Sequence, residues 1–150
     1  MATTLHVTLA GNPNVGKSTL FNSMVSGKSR ISNHPGITAE SVDGFRDRDK
    51  DRLLVTDLPG TYSLHLDLPE AKLCRQHLDQ DVESAVLIIV IDAMGLRRNF
   101  KLFSELTQLE IPMAAVVTKS REAQLRGYQI DLELLEEQLG IPVIGAAERS

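Results

Sequence analysis

The chain has 150 residues, 42% hydrophobic and 24% charged, with a formal net charge of −4 and one cysteine. That length suits one domain of ordinary size, with a hydrophobic core that needs no metal or disulfide staple. The charge balance gives no general basis for binding nucleic acid or acidic lipid, and the lone Cys74 excludes an internal disulfide, so any affinity for phosphate has to be local.

Apolar runs of strand length alternate with segments of helical period, which argues for an α/β fold with a mostly parallel sheet and helices on both faces. The opening MATTLHVTLAG has neither a basic start nor a long apolar stretch, so it does not read as a signal peptide. Instead Leu5 to Ala10 reads as the first strand, ending at Gly11. A helix follows from about Lys17 to Ser26, with Leu20, Phe21, Met24 and Val25 on its buried face and Gly27 as its stop. Lys28 to Ala39 contains Pro35 and Gly36 and no clear period, and reads as a long functional or mobile loop. SVDGF and RLLVTD are two strands joined by RDRDKD (Arg46 to Asp51), whose alternating signs suit a solvated hairpin tip. Pro69 fits the first turn of a helix carrying Ala71 to Leu78, with Cys74 as a packed thiol. AVLIIVID follows as a central strand, apolar because it is buried on both faces, and far short of the roughly 20 residues a membrane helix needs. Leu96 to Leu109 is a helix, PMAAVV a strand, and Asp131 to Leu139 a helix capped by Asp131. Gly140 then leads into the strand IPVIGA, which makes six strands in all. His6, His34, His65 and His77 show no spacing that suggests a transition-metal site.

Directly after the first strand comes GNPNVGKS, Gly11 to Ser18, which fits G-x-x-x-x-G-K-[ST] in the required strand, loop, helix context. The glycines let the backbone turn so that N–H groups of Asn12, Pro13's neighbours, Asn14, Val15, Gly16, Lys17, Ser18 and Thr19 surround phosphates, and the helix adds its positive end. Lys17 reaches the β- and γ-phosphates and Ser18 offers its hydroxyl to Mg²⁺. A magnesium so held needs further oxygen ligands. Asp57, at the start of DLPG, supplies one through water, and the Gly60 N–H meets the γ-phosphate. Thr38, in PGIT between these motifs, is the second protein ligand to Mg²⁺ when a γ-phosphate is present, a switch logic in which contacts vanish on hydrolysis. The glutamine that orients water in many GTPases is replaced by Thr61. Asn14 is a candidate to help bind a monovalent cation beside the phosphates, a built-in counterpart of an arginine finger.

Together GNPNVGKSTLFN (Gly11 to Asn22), NHPGIT with its following glutamate (Asn33 to Glu40), DLPGTYSL (Asp57 to Leu64) and IDAMGLRRNF (Ile91 to Phe100) resemble the N-terminal G domain of the bacterial ferrous iron transport protein B family. The resemblance implies a P-loop GTPase-like fold that binds GTP and GDP with Mg²⁺ and hydrolyses GTP slowly, with K⁺ at Asn14. It further implies attachment to a membrane-embedded Fe²⁺ transport domain of the same full-length protein, on the cytoplasmic face of the bacterial inner membrane. Neither nucleic acid nor direct membrane insertion of this segment is implied. In the family a helical domain precedes the membrane part, so the 150 residues read as one G domain within a longer protein, lacking the last G-domain helix and leaving apolar sheet surface uncovered.

The base-reading loop of GTPases is [NT]-K-x-D. Thr118 and Lys119 fit it, but position 121 holds Arg121. Guanine offers N1–H and an N2 amino group, which a carboxylate accepts, whereas a guanidinium has only donors. The last loop departs as well, with Glu148 and Arg149 where the family has a Ser-Ala type of segment. A rival reading follows: a module of the same ancestry with weakened guanine specificity or hydrolysis. One arrangement would still read guanine: Arg121 turned toward the acceptors O6 and N7. A P-loop kinase or ATPase would need a lid or acceptor site that the sequence does not show.

Overall fold

The computed structural model describes residues 2–80 and 85–146. Within them the chain forms β1 (Thr4–Gly11), α1 (Lys17–Met24), β2 (Ser26–His34), β3 (Ile37–Arg48), β4 (Asp51–Asp57), α2 (Pro69–Leu78), β5 (Ala85–Asp92), α3 (Leu96–Thr107), β6 (Met113–Thr118), α4 (Ser120–Leu125), α5 (Leu132–Leu139) and β7 (Val143–Gly145). One seven-stranded sheet runs in the order β2-β3-β4-β1-β5-β6-β7. β4, β1, β5, β6 and β7 pair in parallel, while β2 and β3 add an antiparallel edge. Among the described residues no helix is long and apolar enough to cross a membrane.

The strands alternate as a sheet covered on both faces requires. Val7, Leu9 and Val55 pack with Phe21 of α1 on one side. Ala10, Leu87, Ile89 and Ile91 pack on the other, with Leu73, Cys74 and Leu78 of α2 and Leu102 and Leu106 of α3. Val117, Ala123 and Leu135 extend that second layer under α4 and α5. Several local signals act as the sequence suggests. Pro69 opens α2, where its missing N–H costs nothing. The Asp131 carboxylate accepts from the Leu134 N–H at 3.1 Å, and Gly140 closes α5 in the left-handed region.

Three local readings need correction. The sheet has one strand more than expected, because Ser26–His34 is a strand where the sequence suggests a helix end and a loop. Nearly all of β2 is exposed, so its order comes from backbone pairing with β3, and an edge strand of this kind carries no apolar alternation to read. Consequently α1 stops at Met24, Val25 is already extended, and Gly27 lies inside β2 and not at a helix end. Finally, the base-loop segment continues into a short helix, α4, entered through Lys119 in the left-handed region. On the α1 side of the sheet, Ile144 of β7 is 59% exposed.

Candidate nucleotide-binding site

β1 is the point where the chain's crossovers change direction: β4 lies to one side of it and β5 to the other. In open parallel sheets, ligands bind beyond the carboxyl ends of the strands at such a point. The chemistry-bearing residues converge there. Gly11 ends β1, Asp57 ends β4, Asp92 ends β5 and Thr118 ends β6, with Leu9 in register with Asp57 and Asp92 with Thr118.

Between β1 and α1 the loop opens a cleft of about 530 Å³ lined by Asn12 to Thr19, Gly60 and Lys119. Asn14 (φ 64°) and Gly16 (φ 91°) both take left-handed backbone, the conformation that turns successive N–H groups toward one concavity. Glycine adopts it without strain at position 16, and asparagine is among the few other residues that tolerate it. Ser18 and Thr19 are exposed at the mouth, while Lys17 is buried and its Nζ donates to Asp57 Oδ1 at 2.8 Å. The residue expected on phosphate and the residue expected on magnesium are thus paired with each other.

The DLPG turn docks directly on this loop. Thr61 N–H donates to Gly11 O at 3.0 Å, and a Cβ on Gly60 would lie 2.7 Å from Pro13 Cα, so glycine is required by close backbone approach. Thr61, standing where a water-orienting glutamine would, is 4% exposed and donates its hydroxyl to Ser63 O at 2.7 Å. Its side chain is committed inward. Thr38 is exposed on β3 beside the hairpin turn and is not among the residues lining the cleft.

The loop expected to read the base is tied to the loop expected to hold phosphate. Thr118 Oγ1 donates to Val15 O in a short hydrogen bond and lies 3.3 Å from Ile91 O. Lys119 Nζ donates to Asn14 O at 2.9 Å and to Asp92 Oδ2 at 3.3 Å, while Asp92 Oδ1 accepts from the Met94 N–H. Asp92 is the partner that sequence reasoning missed; a carboxylate ending a buried strand was the available signal. Arg121 is exposed in the first turn of α4, outside the cleft lining, and Glu148 and Arg149 lie outside the described residues. A second, smaller cavity of about 70 Å³ lies below α2 between His6, Thr8, Thr56 and His77, too small for a nucleotide.

The donor set fits the implied groups. A concave run of backbone with a buried lysine suits a phosphate chain, and the Ser18 hydroxyl with the Asp57 carboxylate suits a hard divalent cation. Asn14 is exposed in the lining of the same cleft, and an amide oxygen is a donor type that suits a monovalent cation.

A family model described as ferrous iron transport protein B matches residues 5–150. The Fe(2+) transporter FeoB of Legionella pneumophila strain Lens is 39% identical over 142 residues, covering 93% of this chain and 19% of that protein. The chain therefore spans about a fifth of the length of the curated relatives it matches. Among solved structures, the cytosolic domain of T. maritima FeoB in a GDP form is 34% identical with a TM-score of 0.86, covering 95% of this chain and 56% of that one. The same domain in a GMPPNP form is 34% identical with a TM-score of 0.85, covering 94% and 56%.

Proposed function

The chain belongs to the ferrous iron transport protein B family, and on that footing we propose that it binds GTP and GDP with Mg²⁺ and hydrolyses GTP slowly, as the cytoplasmic G domain of a bacterial Fe²⁺ transporter. The observation that carries this reading is the loop from Gly11 to Ser18 at the end of β1, with Lys17 held 2.8 Å from Asp57 on the neighbouring strand. Relatives of the same fold described in GDP and GMPPNP forms support it.

In this reading the N–H groups from Asn12 through Thr19 wrap the phosphate chain, and Lys17 leaves Asp57 for the β- and γ-phosphates. Ser18 and Thr38 would hold Mg²⁺ directly and Asp57 would hold it through water. Thr38 reaches it only after the segment carrying it moves from its exposed place on β3. The Gly60 N–H meets the γ-phosphate. With Thr61 turned inward, the charge that develops on the phosphates has to be met by Lys17 and by a cation at Asn14. A bound Mg²⁺ and K⁺ would neutralise that charge electrostatically. Thr118 and Lys119 brace the base side of the cleft. The membrane-embedded Fe²⁺ transport domain of the full-length protein is the partner whose state the nucleotide would report, at the cytoplasmic face of the inner membrane.

Arg121 favours a second reading, in which phosphate binding persists with little preference for guanine. Two hydrogen bonds to a charged group are worth about 3 to 6 kcal/mol together, or roughly 10² to 10⁴ in affinity. Titration of GTP, GDP and ATP in Mg²⁺ decides between the two. Tight GTP and GDP binding with rejection of ATP supports guanine recognition, and equal affinities support the second reading. Absence of binding by all three would overturn the proposed function.

A further inference from the structure

Two segments that border the phosphate end of the cleft are fastened to the same helix. Asn12 Nδ2 donates to the carbonyl of Arg98 in the first turn of α3 at 2.7 Å. About two turns further along, on the same side of α3, the Glu105 carboxylate accepts from Ser63 Oγ at 2.7 and 3.0 Å and from the Leu64 N–H at 2.6 Å. Ser63 Oγ in turn accepts from the His65 N–H at 3.1 Å.

The held segment follows directly on the DLPG turn. Thr61, Ser63 and Leu64 are 4%, 2% and 4% exposed, and Thr61 is bonded both to Gly11 O and to Ser63 O. A displacement at Ser63 is therefore transmitted to Thr61 and to the Gly60 backbone that rests on Pro13. The far end has a separate anchor: Arg75 of α2 donates to Leu64 O, and also to Leu66 O at 3.3 Å. Loss of Glu105 would leave the segment attached through Arg75 while freeing the part nearest the cleft.

We propose that Glu105 is a positioning residue for GTP hydrolysis, fixing residues 61–64 and with them the Gly60 N–H at a set distance from the phosphate loop. α3 acts as the strut between the two, since the loop is tied to its start through Asn12. The inference rests on the hydrolytic reading above. It assigns to α3 a role that neither the phosphate-loop motif nor the DLPG turn contains.

The test uses Glu105→Ala and Glu105→Gln in the full chain. Glutamine keeps one carbonyl oxygen for the Leu64 N–H, and the Ser63 hydroxyl can turn to accept from its amide, so it should restore part of the hold. For Glu105→Ala the expected result is a fall in kcat of about tenfold, the size of one charge-assisted hydrogen bond, with KM for GTP and Kd for GDP within about twofold of wild type. Glu105→Gln should recover part of kcat. Amide hydrogen exchange at Gly60 to Leu64 should accelerate in the alanine variant while exchange in β1 and β5 is unchanged. Equal kcat in all three proteins, matching losses in the two variants with a common fall in Tm, or unchanged exchange at residues 60–64 would each overturn the proposal. If wild type binds nucleotide without turning it over, the hydrolytic reading fails, and the exchange measurement still decides whether Glu105 holds the segment.

Discussion

The phosphate end of the cleft is built from backbone, whereas the base end is built from side chains, and the two differ in how much sequence change they absorb. Around Gly11 to Ser18 the contacts are N–H groups set by Asn14 and Gly16 in left-handed conformation and by the close approach of Gly60 to Pro13. At the expected base end Thr118 and Lys119 are spent on bracing that loop, through Val15 O, Asn14 O and Asp92, and on the proposed function discrimination would fall to position 121. A single substitution there would reverse the charge offered to a base without changing the residues of the phosphate loop. On the proposed function, affinity and selectivity would be separable in this chain.

The largest test of that separation is Arg121→Asp, which should raise the preference for GTP over ATP by on the order of 10² to 10⁴ while changing pyrophosphate affinity little, as measured by titration. A parallel rise in affinity for all nucleotides would show that position 121 acts through the phosphates, and the comparison would break. Next in size is Lys17→Ala, which should weaken GTP and ATP alike by roughly 10². It also leaves Asp57, 7% exposed, without its partner, so the melting temperature should drop. Adding Asp57→Asn should restore stability but not affinity. Thr118→Ala sharpens the link between the ends. Losing a buried hydroxyl that bonds Val15 O and Ile91 O should cost about 1 to 3 kcal/mol in denaturant unfolding and weaken all nucleotides together.

The smallest expected effect lies away from both ends. His77, beside Thr8 at 3.3 Å, has its pKa pushed below the usual 6.5 chiefly by burial, against the pull of Asp43. Above that value both folded and unfolded chains carry the neutral ring. As pH falls below it, the unfolded chain takes up a proton that the folded chain resists, so stability declines until the folded pKa is passed. Thermal melts between pH 7.5 and pH 5 on wild type and His77→Gln should show a shallower decline in the variant, with the GTP to ATP ratio unchanged at each pH.

The strand, loop and helix at Gly11 to Ser18 and the turn at Asp57 to Gly60 were legible because each segment fixes its own backbone within a few residues. β2 escaped because Ser26–His34 has no apolar alternation and is ordered only by its pairing with β3. That pairing also explains Thr38, placed near magnesium by motif order but exposed on β3 in the structure. The missing glutamine at Thr61 could be read, but its inward hydroxyl bond could not. Glu105 carries no motif signal, since its partners Ser63 and Leu64 lie 42 and 41 residues away in sequence.

If the proposed function holds, the buried Lys17–Asp57 pair makes ligand entry an exchange of partners. On the proposed function, phosphate oxygens would take the Lys17 ammonium and a divalent cation would take up the charge of the Asp57 carboxylate, so neither member of the pair would be left without a counter-charge. Either ion arriving alone would strand one member of the pair. The two should therefore load as a unit: free Mg²⁺ binds poorly, nucleotide stripped of metal binds poorly, and each raises the affinity of the site for the other by the same factor.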